Sequence, residues 1–154
     1  MIEFEARAYD DEVVQALVVE VQAEYVRRYG GPDETPVEPG QFAPPGGILL
    51  VGFEGTVPVA MGGWRTIDLG DGVPTVEIKR MYVPEVGRRR GLARRILGEL
   101  ESRAKQAGAE RIVLETGDQQ PEAIALYESS GYTPTTPFGH YASTDGSLHF
   151  AKDL

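Results

Sequence analysis

The 154-residue chain has no cysteine, which excludes disulfides, thiolate catalysis and thiolate metal sites at the outset. Histidine is almost as scarce, with only His140 and His149 present. Two imidazoles without a thiolate do not make a zinc set, so no metal is expected. No run of twenty apolar residues occurs, and Met1 to Arg7 lacks the basic-then-apolar pattern of a leader. No membrane association is therefore expected, and the expected compartment is cytoplasmic. Basic residues are in deficit, 15 Lys and Arg against 24 Asp and Glu, giving a formal net charge of −9. Nucleic-acid binders usually carry a basic excess, so no nucleic-acid partner is expected.

The few cations are crowded together. Seven of the fifteen lie between Lys79 and Arg95: Lys79, Arg80, Arg88, Arg89, Arg90, Arg94 and Arg95. One basic spot on an acidic chain suits a compact polyanion, and the acidic remainder suits a cationic, amine-bearing partner. Within the spot, Arg88-Arg89-Arg90-Gly91-Leu92-Ala93 stands between an apolar strand pattern and an apolar helix pattern. A helix start carries partial positive charge and unpaired N–H groups, where acidic or Ser, Thr, Asp and Asn residues normally sit. Each cation there costs a few tenths to about 1 kcal/mol unless an anion is present. Phosphate fits such a terminus; the plainer alternative is a solvated basic corner.

The length fits one domain, 1–154, with room for a real core. Ile2 to Arg7 alternates as a strand, and Asp10 or Asp11 can cap a helix reaching about Tyr29. Its apolar positions are Val14, Leu17, Val18, Val21 and Tyr25, and Gly30-Gly31 stops it. Gly30 to Gly47 is rich in Pro and Gly and reads as a long surface loop. Strand patterns follow at Ile48–Glu54, Val57–Ile67 and Thr75–Val83, the first two joined as a hairpin. A helix from Gly91 to about Gln106, a strand over Arg111–Thr116 and a helix over Pro121–Ser130 come next. Tyr132 onward reads as strand and loop, and Leu148–Lys152 as a last, edge strand. Strand Thr75–Val83, its helix and strand Arg111–Thr116 make a parallel, right-handed βαβ unit. The α/β (α+β) expectation is a mixed sheet with helices on both faces.

With the elements placed, the strand Glu77 to Val83, the turn, and Arg88-x-x-Gly91-x-Ala93 resemble the acetyl-CoA-binding motif of the GNAT N-acetyltransferase superfamily. Gln120 to Tyr127, with Gly131-Tyr132, resembles that family's second signature. The resemblance covers about Ile48 to Tyr132. It implies a mostly antiparallel sheet whose fourth and fifth strands splay into a slot for the pantetheine arm. It also implies acetyl-CoA as cosubstrate, an amine-bearing acceptor, and direct attack in a ternary complex. Main-chain groups at Met81 and Val83, flanking Tyr82, would pair with the arm. Amides at Arg89, Gly91, Ala93 and Arg94, on the bend that also holds Arg88, Arg90 and Leu92, would hold the diphosphate.

By the same resemblance Tyr127 is the general acid for the departing thiolate, and Glu77 the general base, directly or through water. The chain departs from the common pattern at Gln120, where asparagine is frequent. From the residues alone, Tyr127 also reads as a core aromatic and Glu77 as a solvent-facing partner of a neighbouring Lys or Arg, such as Lys79. Trp64 and Tyr25 are core candidates that could also line an acceptor pocket, and the histidines read as structural. A non-catalytic acyl-CoA-binding sensor is the alternative function. The acceptor and a homodimer both stay open.

Overall fold

Strand β2 (Gly47–Glu54) is buried over seven of its eight residues, so it must be covered on both faces. Alternation sends Ile48 and Leu50 to one side and Leu49, Val51 and Phe53 to the other. Each set nucleates its own apolar cluster. Helix α1 (Glu12–Tyr29) closes the second with Val14, Leu17 and Val21. Helix α2 (Leu92–Gln106) closes the first with Leu92, Ile96, Leu97, Leu100 and Ala104. Tyr127, from helix α3 (Pro121–Ser129), belongs to that first cluster too. Trp64 lies there fully enclosed, its indole N–H donating to the Leu100 carbonyl at 3.1 Å.

The computed structural model describes residues 1–154. Strands β1 (Ile2–Ala6), β2, β3 (Val57–Ile67), β4 (Thr75–Tyr82), β5 (Arg111–Gly117), β6 (Thr133–Pro134) and β7 (Ser147–Asp153) form one sheet. Their spatial order is β1-β2-β3-β4-β5-β7-β6. Every neighbouring pair is antiparallel except β4 with β5, which α2 joins as a parallel crossover. No helix is long and apolar enough to cross a membrane.

Most boundaries fall where caps put them. Asp11 accepts the Val13 N–H at 2.8 Å to start α1, and Gly30, at φ 81°, ends it. The sheet's far side differs from expectation: β7 is interior, not an edge. It lies between β5 and β6, and the two-residue β6 forms the edge. Strand is expected from Tyr132 onward, but two residues ending in Pro134 show no period that would place them outside β7.

The feature that shapes the molecule is a bulge in β4. Gly63 faces Lys79, yet Met61 faces Tyr82, so β4 carries one extra residue there. Arg80 takes it up at φ 61°, a left-handed conformation unusual for a non-glycine residue. Lys79 and Arg80 therefore both project toward the loop that follows α1. Downstream, a short 3-10 turn (Glu85–Gly87) sets Gly87 against the Val59 carbonyl, with no room for a Cβ. Gly87→Ala should lower stability by about 1–3 kcal/mol through overpacking. In urea melts this reads as a lower midpoint at unchanged slope.

Candidate active site

β4 and β5 stay in register for only three residues, from Thr75↔Arg111 to Glu77↔Val113. β4 then runs on to Tyr82 and β5 to Gly117 without pairing, and a cleft of about 560 Å³ opens between them. Met81, Tyr82 and Val83 line one wall, and Leu114 to Asp118 with Ala123, Leu126 and Tyr127 the other. Tyr25 and Tyr29 of α1 close one side. The backbone edge of β4 beyond Glu77 thus faces open cleft where a strand would otherwise stand.

The arginine-rich bend adjoins this cleft. Arg88 lines it and donates from Nε to the Val83 carbonyl at 3.1 Å, tying the bend to the end of β4. Arg89 (φ 62°) and Gly91 (φ 71°) are both left-handed, a turn geometry that aims successive N–H groups at one point. Gly91 is the N-cap of α2 and offers no side-chain cap. The first helical bond runs from Arg95 N–H to the Gly91 carbonyl, leaving the N–H groups of Leu92, Ala93 and Arg94 without backbone partners. Such a terminus fits a phosphate group, and small Ala93 lines the cleft beside it. The arginine side chains divide their work. Arg90 pairs with Glu54, and Arg94 donates to the hydroxyls of Ser129 and Ser130. Neither lines the cleft, and nor do Arg89, Gly91 and Leu92. Gln120 lines the cleft and donates to the Tyr29 hydroxyl at 3.1 Å.

The two residues expected to move protons sit differently. Tyr127 lines the cleft, 6% exposed, with its ring edge-on to Tyr132 at 5.7 Å. Burial, aided by the Glu115 carboxylate, pushes its phenol well above the ordinary range, so it keeps its proton. Glu77 is also buried, but its partner is Arg65 on β3, at 3.1 Å, rather than Lys79. Arg65 in turn reaches the Pro36 carbonyl and Gln41 of the loop. Glu77 lies below the point where the strands part and does not line the cleft.

Two acidic residues not singled out from the sequence do line it. Asp33, on the loop after α1, accepts from Lys79 Nζ at 2.9 Å and Arg80 Nη1 at 2.6 Å. Burial works to weaken it as an acid, but Lys79 and the Thr35 hydrogen bonds hold its pKa far below the usual carboxylate range. Glu115, on β5, accepts from the Ser147 hydroxyl at 2.6 Å. Long-range pairings of this kind leave no local pattern; a Glu inside an otherwise apolar strand was the one available signal. His149 is buried in β7, with Nε2 unpartnered, and His140 is exposed, edge-on to Tyr141; neither lines the cleft. No group of three His, Cys, Asp or Glu side chains is placed to hold a metal ion.

The split sheet and the uncapped, glycine-led helix lie within the stretch that identifies the family. Residues 14–132 match the acetyltransferase (GNAT) family, and the protein belongs to that family. It is 40% identical over 78 residues to an IAA acetyltransferase of Azospirillum brasilense. That match takes in 51% of each protein, so it speaks for about half of the relative's length. Over its full length the chain resembles a Klebsiella pneumoniae protein assigned to the acyl-CoA N-acyltransferases, with 26% identity, TM-score 0.81, and 100% and 98% of the two chains covered. A GNAT family acetyltransferase of Elizabethkingia anophelis with acetyl-CoA bound shares the fold at TM-score 0.70 and 15% identity, covering 99% and 98%.

Removing the Asp33 carboxylate leaves two buried cations unopposed. Asp33→Asn should therefore cost about 3–5 kcal/mol at pH 7. Because the folded-state acid is stronger than the unfolded one, this contribution is full above about pH 4 and fades as pH falls further. Urea melts of both proteins at pH 7 and pH 3 should show the gap closing in acid.

Proposed function

We propose that the protein is an acetyl-CoA-dependent N-acetyltransferase that moves the acetyl group to an amine by direct attack in a ternary complex. The observation that carries this reading is the parting of β4 from β5 directly beside an α2 terminus with unpartnered N–H groups. The slot offers main-chain partners at Met81 and Val83 to an extended amide-bearing arm. The bend offers the N–H groups of Arg89, Gly91, Ala93 and Arg94 to a diphosphate, with Arg88 as countercharge. Acetyl-CoA supplies both of those features, together with an activated thioester.

The chain's own residues then have defined tasks. Tyr127 holds a proton on its phenol beside the cleft and delivers it to the departing sulfur. Gln120 orients Tyr29 at the slot's edge. Glu77, locked to Arg65, acts as an anchor for the loop that carries Pro36 and Gln41. The acceptor enters from the side bounded by that loop and the C-terminal segment, where Asp33, Glu34 and Asp145 line the cleft. The acidic lining there favours a cationic amine.

Calorimetry with ligand-free protein should show coenzyme A binding; no heat would overturn the reading. Tyr127→Phe should lower turnover, followed by thiol release, on the order of 100-fold while leaving coenzyme A affinity unchanged. Coenzyme A uptake without thiol release from any amine would mark a non-catalytic sensor instead.

A further inference from the structure

The two halves of α1 are held by different forces. Val14, Leu17 and Val21 pack the first half onto the sheet, but no residue beyond Val21 is fully buried. The last two turns reach over the slot instead, where Glu24, Tyr25, Arg28 and Tyr29 line it. Glu20, Glu24 and Arg28 recur every four residues and so form one row along the helix. That row touches both walls. On the β4 side the Tyr82 hydroxyl donates to Glu20 at 3.2 Å, and Arg88 lies 3.7 Å from Glu24. On the far side Arg28 donates to the Gln119 carbonyl and to the Glu122 carboxylate, each at 2.7 Å. Glu24 and Arg28 are themselves paired at 3.4 Å. A chain of alternating charge, Arg88–Glu24–Arg28–Glu122, thus runs from the bend after β4 to the first turn of α3. Tyr29 adds a neutral contact. Its hydroxyl accepts from Gln120, and its ring occupies the space a Cβ on Gly117 would need.

We propose that the final turn of α1 is a latch: it closes over the coenzyme's extended arm, and coenzyme enters or leaves only when Arg28 releases α3. This rests on the transferase reading above, which lays that arm from the bend toward Tyr127, along a line the charge chain crosses. The bonds suit a part that must open. Arg28 and Glu122 both reach solvent, so their attraction is weak and screened by salt. Gly30 and Gly31, each with open space around it, separate the turn from Asp33. The turn can therefore tilt without disturbing the Asp33 pairs with Lys79 and Arg80. A diphosphate at the bend takes Arg88 from Glu24, which frees the chain at one end while Arg28 keeps the other shut.

The test follows coenzyme A association and dissociation on the full chain by surface plasmon resonance. Glu122→Gln keeps the side-chain shape but removes the charge that holds Arg28. Electrostatics alone predicts slower release, because an anion beside a polyanion's site has been lost. A latch predicts the reverse: release faster on the order of 5-fold, with uptake faster as well. The excess in release rate should shrink as salt rises, since salt screens the wild-type pair. Release from Glu122→Gln at or below the wild-type rate would overturn the proposal.

A second arm uses the absence of any native thiol. In a chain carrying Arg28→Cys and Glu122→Cys together, a short bis-maleimide joins those two positions alone. Linked before ligand is added, this chain should fail to take up acetyl-CoA; linked after loading, it should trap it. The same chain without the linker should exchange acetyl-CoA freely. Ordinary uptake and release by the linked chain would sink the latch. Failure of the transferase reading is separate and shows in the wild type, as absent coenzyme A binding or absent thiol release.

Discussion

The site depends on where β4 stops pairing with β5. Three registered pairs hold the strands together, and then the extra residue at Arg80 increases the local twist and turns β4 aside. Buried backbone groups without partners are expensive, so such a gap persists only where water or a ligand can reach it. Everything chemical in the molecule borders that gap. The arginine bend is tied to the end of β4 by Arg88, and α3 brings Tyr127 to the opposite wall. One irregular residue therefore determines the position of both ends of the slot.

Keeping Arg80 in a left-handed conformation has a cost, and the surrounding charge pairs hold the residue in that place. Its guanidinium reaches Asp33 and the Tyr9 hydroxyl, and neighbouring Lys79 shares the same carboxylate. The loop is further held by Arg65 on Pro36 and Gln41, and by Gln22 on the Asp33 backbone. Buried pairs of this sort recover little net stability after desolvation. Their effect is positional: a Pro- and Gly-rich segment with no regular structure beyond the 3-10 turn Pro39–Phe42 is pinned at one place along β4.

Local signals in the sequence suffice for most of the fold. The α1 and α2 apolar positions recur at helical spacing, Asp11 and Gly30 are chemically suited to their caps, and the βαβ unit follows from element order. The interior place of β7 was not legible, because its neighbour β6 is too short to show a period. At the site, the Gly91 bend and Tyr127 were legible as motif positions. The partner of Glu77 was not, since Arg65 meets it only through the register of β3 against β4. Nor was the place of Glu115 in the cleft wall, which comes from a strand separation that no window of sequence contains. Within the triple-arginine run, the fold gives Arg88 the Val83 carbonyl and Arg90 the Glu54 carboxylate, partners that no local pattern names.

Trp64 is the only tryptophan, and it sits on the α2 face with its indole bonded to a helix carbonyl. The protein thus contains a single indole emitter, enclosed in the apolar cluster and absent from the cleft lining. Its fluorescence maximum reports the docking of α2 on the sheet, and tyrosine signals alone come from the cleft itself.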